Sequence, residues 1–252
     1  MFTRHLCAAL LFGAFTLPAL AQHGDHAAHA WDYSGAKGPA HWGQLESGFA
    51  GCKLGRQQSP IDIRATTRGA AAPIAFEYQS APLAIIDNGH TVQVNYAPGS
   101  AIVVGDTRYE LLQFHFHTPS EERIQGKSYP LVAHLVHKSA EGKLAVVALL
   151  FTLGADNPML ATVFGALPDK KGEEVRKEGS SVALAKALPA DHGYYSFAGS
   201  LTTPPCSEEV RWFVLKKPVE MSRAQLAAFH KVYRHNARPV QALNGRVVTE
   251  SN

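Results

Sequence analysis

Short runs of aliphatic, β-branched and aromatic residues separated by turn formers occupy most of the chain from Gln58 onward. Four such runs come early: Leu83 to Ile86 before Asn88-Gly89, Val92 to Tyr96 before Pro98-Gly99, Ala101 to Val104 before Gly105-Asp106, and Leu111 to His117 before Pro119. Leu131 to His137, Leu144 to Leu153 before Gly154, and Arg211 to Leu215 before Pro218 follow the same pattern. Runs of this length between Gly, Pro, Asn and Asp predict strands. Helical spacing is confined to Asn157 to Phe164 and to a stretch opening at Ser222, a suitable N-cap, and passing through Gln225, Phe229 and Val232. Asp169 to Glu178, dense in Lys and Glu, predicts a solvated loop or helix face. The pattern is that of a mainly β protein with peripheral helices (α+β), and it contains no internal repeat.

The first residues follow a different rule. Arg4 precedes an apolar run from Leu6 to Leu17, then Pro18 and the small-residue end Ala19-Leu20-Ala21. This is the design of a secretory signal peptide cut after Ala21, so residues 1–21 are expected to be removed on export to the periplasm or the extracellular space. A membrane anchor is disfavoured because the run is about a dozen residues, short of the roughly 20 that span a bilayer, and no later segment qualifies. A lipid-anchored Cys7 is disfavoured because that cysteine starts the run. Residues 22–30 are polar, small and rich in histidine, and predict a disordered tail in which His23, His26 and His29 offer weak metal binding at most. Residues 31–252 carry no linker and read as one domain.

Charge and cysteine content narrow the class. The 24 Lys and Arg against 21 Asp and Glu give a net charge of +3, one less without Arg4, which argues against a nucleic-acid surface. Loss of Cys7 with the leader leaves Cys52 and Cys206. In an oxidising compartment an even pair reads first as a disulfide, with two buried thiols as the alternative.

The densest chemistry is Gln113-Phe114-His115-Phe116-His117. Alternate residues of a strand share a face, so His115 and His117 project together while Phe114 and Phe116 face the opposite core. A neighbouring strand offers His134 or His137 to complete three nitrogens, the ligand set of a catalytic zinc whose fourth position stays open to water.

In order along the chain stand Trp31-x-Tyr33, Gly38-Pro39-x-His41-Trp42, Gln58-Ser59-Pro60-Ile61-Asp62-Ile63, Asn88-Gly89-His90 and Gln113-Phe114-His115-Phe116-His117. They are followed by His134-Leu135-Val136-His137, Gly199-Ser200-Leu201-Thr202-Thr203-Pro204-Pro205 and Asn236-x-Arg238-Pro239-x-Gln241. Together these segments resemble the α-class carbonic anhydrases, of the bacterial secreted type, over nearly the whole mature chain. The resemblance implies one large twisted, mostly antiparallel sheet with short peripheral helices, and one Zn2+ per chain at the bottom of a cone-shaped cavity. It implies reversible hydration of carbon dioxide to bicarbonate and a proton by zinc-bound hydroxide. His115, His117 and His134 would be the ligands and His137 would not. Thr202 and Glu121 would orient the hydroxide, and His90 would shuttle the proton. Val136, Val146, Leu201, Thr203 and Trp212 would line the substrate pocket. Gln113 and the backbone carbonyl near Asn236 would support two ligands, and Cys52 would pair with Cys206, restraining the Thr202 loop. A homodimer is implied only through bacterial relatives.

One departure stands out. Most relatives carry Glu two residues before the third ligand, where this chain has Val132. Loss of a carboxylate that orients a ligating imidazole typically costs about 10–100-fold in metal affinity or activity. A catalytically silent binding domain is the main alternative function, opposed by retention of His90, Glu121, Thr202 and the three histidines. Zinc buffering by the tail is another.

Overall fold

The computed structural model describes residues 30–69 and 71–251. The expected leader and nearly all of the His-rich tail lie outside these residues. The strands that build the site are β1 (Ala81–Asp87), β2 (Val92–Asn95), β3 (Thr107–His117), β4 (Leu131–Ser139) and β5 (Leu144–Leu153). They are joined by β6 (Glu174–Val182), β7 (Tyr194–Gly199) and β8 (Val210–Leu215). They belong to a 13-stranded sheet in which they run β6-β1-β2-β3-β4-β5-β8-β7. The pairings are antiparallel except that β5 and β8 run parallel. The expected mostly antiparallel sheet with few helices is thus the observed architecture.

Strands β4 and β5 lie in the middle and are buried nearly end to end. Such strands need apolar residues on both faces, which is why their sequences read as continuous runs. The two faces lead into separate cores. Leu131, Ala133 and Leu135 pack with Phe114, Phe116 and Leu149 in one cluster, while Val132 and Val136 pack with Val146, Trp212 and Ile61 in the other.

Helix α1 (Pro158–Phe164) begins at Asn157, whose side chain accepts from the Met159 and Leu160 amides, with Pro158 in the first turn. Helix α2 (Arg223–His230) opens with a capping box in which Ser222 and Gln225 satisfy each other's backbone amides. Both helices cover the phenylalanine face: the rings of Phe164 and Phe229 lie 5.1 and 5.9 Å from Phe116. The second helix stops at His230, short of the Val232 expected from spacing.

The Asp169 to Glu178 expectation needs correction. Residues from Glu174 onward form β6, paired with β1 at the edge of the sheet. Apart from the half-buried Ser180 its residues are exposed until Val182, so neither face shows hydrophobic alternation. Charged side chains on an edge strand discourage pairing with other chains, and the same charges hid the strand. Among the described residues no helix is long and apolar enough to cross a membrane.

Candidate metal centre

Register brings the histidines together. His115 on β3 stands opposite His134 on β4, and His117 stands opposite Val132. All three imidazoles share the face opposite Phe114 and Phe116, and their ligand nitrogens lie within 4.8 Å of one another. His137 is an odd number of residues from His134 and so points to the other face, where Tyr78 Oη lies 2.9 Å from its Nε2. The period of the strand therefore decides between the two candidate third ligands.

Each imidazole is fixed by a partner at its far nitrogen. His115 Nδ1 donates to Gln113 Oε1 at 2.9 Å, and His117 Nδ1 donates to the Asn236 main-chain oxygen at 2.7 Å. These acceptors leave the Nε2 lone pairs for the site. His117 Nε2 is buried and has no hydrogen-bond partner. A buried lone pair without a donor, aimed among two other imidazole nitrogens, fits a metal cation.

The third anchor is one the sequence did not reveal. His134 Nε2 faces Glu122, with carboxylate oxygens at 3.0 and 3.1 Å, and this leaves Nδ1 for the site. Glu122 is fully buried. Its only trace in the sequence is a second acid directly after Glu121, within a segment otherwise read as a turn.

The protonation pattern is shaped by burial. Burial, then the neighbouring His134, pushes His115 down to about 3, and burial, then His134 and His115, holds His117 well below its ordinary value. Both are neutral imidazoles, the form that binds a metal. Burial also pulls His134 down, but the charge and hydrogen bond of Glu122, with Glu121 behind them, lift it above its ordinary value. Burial raises the Glu121 carboxyl to about 7, against the opposing pull of His134, the Arg238 amide and the Thr202 hydroxyl.

Glu121 is fixed in place. Its Oε1 accepts from the Arg238 backbone amide at 2.7 Å, while Oε2 lies 3.8 Å from His134 Nδ1 and has no partner of ordinary hydrogen-bond geometry. The Thr202 contact is therefore a weak influence on this carboxyl.

The loop carrying Thr202 is tied to Gln58-Ser59. Ser59 N donates to Ser200 Oγ at 2.9 Å, Ser200 N donates to Ser59 Oγ at 3.1 Å, and Trp212 Nε1 donates to Ser200 O at 3.0 Å. A Cβ on Gly199 would come within 2.2 Å of Ser59 Oγ and 2.6 Å of the Trp212 ring, so this approach requires glycine. Cys206 is bonded to Cys52 across 154 residues, as expected, and Gln58 Nε2 donates to Cys206 O at 3.0 Å. The Arg238 guanidinium closes the group through Gln58, Ser59 O and Cys52 O.

Apolar residues flank the histidines. Val136, Val146 and Trp212 sit side by side across β4, β5 and β8 on the His134 face, and the Trp212 ring lies edge-on to His134 at 4.9 Å. Leu201 packs against this cluster, and Thr203, two residues on, is half-buried. His90 follows the Asn88-Gly89 turn, where Asn88 Oδ1 accepts from the His90 and Thr91 amides and Gly89 takes φ 90°. Its ring stacks on Trp31 at 3.6 Å with an interplanar angle of 8°, a contact the sequence did not foretell.

Three imidazoles converging from two adjacent strands, each oriented by a separate acceptor, form a histidine cluster suited to a metal ion on a β-sheet face. A family model described as eukaryotic-type carbonic anhydrase matches residues 37–252, and the chain belongs to that family. A carbonic anhydrase of Pectobacterium carotovorum is 47% identical over 221 residues, covering 86% of this chain and 89% of the relative. The solved α-carbonic anhydrase of Thermovibrio ammonificans, in complex with the inhibitor sulfanilamide, has a TM-score of 0.84 at 44% identity over 87% of this chain and 98% of that one. The α-carbonic anhydrase of Photobacterium profundum gives 0.82 at 44% identity over 87% and 99%.

Proposed function

We propose that the chain is a zinc-dependent enzyme interconverting carbon dioxide and bicarbonate, and the observation that carries this reading is the convergence of His115, His117 and His134 within 4.8 Å. Two Nε2 atoms and one Nδ1 would hold the ion. Zinc bound by three histidines supplies a water acidic enough to be ionised near neutral pH, a property for which carbonic anhydrase is the type example.

The chain's own residues supply the rest. An ionised Glu121 beside a cation accepts only, so a Thr202 hydroxyl brought to its unpartnered Oε2 would donate to it and turn its own lone pairs toward a donor at the histidines. That arrangement orients a reacting oxygen without moving a proton through Glu121. Val136, Val146, Leu201, Thr203 and Trp212 offer apolar walls to carbon dioxide, which carries no charge to anchor. A proton must leave for solvent in each turnover, and an imidazole, with an ordinary pKa near 6.5, can take and release it near neutrality. His90 has that role, at a half-buried position on a turn.

The Cys52–Cys206 bridge supports export to an oxidising compartment, in agreement with the leader-like residues 1–21. The experiment is stopped-flow carbon dioxide hydration by the wild type and by His134→Ala. The reading expects a fast wild type and loss of most activity in the variant. An inactive wild type that carries zinc would overturn it in favour of a silent binding domain.

A further inference from the structure

The position two residues before the third ligand is Val132, fully buried in the apolar cluster with Val146 and Trp212. It has no polar atom to offer the far nitrogen of His134. Yet that nitrogen has a carboxylate, and it comes from Glu122, twelve residues earlier in the chain. Both Glu122 oxygens lie near 3 Å from Nε2, and the residue is fully buried.

We propose that Glu122 is a positioning residue that has taken over from strand β4 the task of orienting His134, so that the third ligand of this chain is held from the 118–130 connection instead of from its own strand. The inference rests on the zinc reading above. An imidazole free to turn about its Cβ–Cγ bond would present either nitrogen to the site. A carboxylate on Nε2 requires the proton there and leaves the lone pair on Nδ1.

A connection between strands is a poor support unless its backbone is fixed, and this one is. Ser120 Oγ donates to the Glu122 carbonyl at 2.8 Å and accepts from Tyr129 N at 2.9 Å, while Ser120 N donates to Tyr129 O at 2.8 Å. On the other side Arg123 N donates to Ile61 O at 3.2 Å, within a short parallel pairing of Asp62–Ile63 with Arg123–Ile124. Glu122 is thus clamped from both flanks. The face geometry also allows the reverse exchange. Residue 132 shares the His134 face of β4, so a carboxylate there would lie on the same side of the strand as the imidazole.

The experiment measures zinc release from the purified holoprotein to excess dipicolinate, for wild type, Glu122→Gln, Glu122→Ala and Glu122→Ala/Val132→Glu. Circular dichroism and metal-free melting serve as controls for folding. Glu122→Ala is expected to release zinc on the order of 10–100-fold faster than wild type. Glu122→Gln, of the same size and still able to accept the Nε2 proton, should fall between them. The double variant should recover most of the loss, which no general softening of the connection would produce. Wild-type release rates in both single variants would overturn the proposal, as would a folded double variant releasing zinc as fast as Glu122→Ala. A wild type that never holds zinc would instead defeat the reading on which the proposal rests.

Discussion

The main-chain oxygen of Asn236 accepts from His117 Nδ1 at 2.7 Å, while the side chain of the same residue donates to Phe116 O and His90 O and accepts from Thr118 N. One buried residue thereby joins a metal-ligand candidate to the backbone of the proposed proton relay. Asn236→Ala keeps the carbonyl but strips its supports and leaves the Thr118 amide without that partner. A buried group left unsatisfied costs about 1–3 kcal/mol, so urea unfolding of metal-free protein should show a loss of that order. Zinc release should also quicken. A change within about 0.5 kcal/mol of wild type, as at an ordinary surface site, would show that the support is dispensable.

His137 should set part of the acid limit of stability. Burial holds its imidazole at about 3, against opposing backbone carbonyls at Ala145 and Leu135. The unfolded chain takes up a proton below about 6.5, and the native protein declines it until about 3. Unfolded protein therefore binds more protons across that window, and stability falls as the pH drops through it. The slope from one such group is up to about 1.4 kcal/mol per pH unit. Metal-free His137→Gln, unfolded in urea at pH 7, 6, 5 and 4, should show an acid limb flatter by up to this amount. Equal slopes in variant and wild type would contradict the assignment.

Much of the site could be read from period-two patterning, because a strand's alternation carries spatial information. It placed His115 with His117 and opposite Phe114 and Phe116, while helical spacing from Asn157 and the Ser222 cap marked both longer helices. Strand β6 was not readable, since an exposed edge needs no hydrophobic alternation. The choice of His134 over His137 followed the resemblance alone until sheet register supplied the physical reason. Glu122, the Trp31–His90 stack and the several roles of Asn236 depend on through-space contacts between distant segments. No local spacing encodes such contacts.

Removing the Cys52–Cys206 bridge should weaken stability and activity together. The bridge closes a loop of 154 residues and ends four positions after Thr202. Freeing it restores entropy to the unfolded chain, typically about 2–4 kcal/mol. It also loosens the segment that presents the Thr202 hydroxyl, and a displacement of about 1 Å near the chemistry can cost on the order of 100-fold in rate. Melting and hydration assays on Cys52→Ser/Cys206→Ser should both fall, and wild-type values for both would make the pair incidental.

His90→Ala should lower kcat by about 10-fold or more while leaving kcat/KM nearly unchanged, because proton export follows the hydration step. Added imidazole should restore part of the rate. An unaffected kcat in weak buffer would remove His90 from the relay.

In the proposed function, three histidines on two strands hold the zinc on which turnover depends. The most direct test is to strip the purified protein with dipicolinate, confirm folding by circular dichroism, and titrate zinc back while following carbon dioxide hydration. Activity should vanish on stripping and return linearly to a break at one zinc per chain, with no return in His134→Ala. Full hydration activity in the stripped, folded protein would contradict the claim.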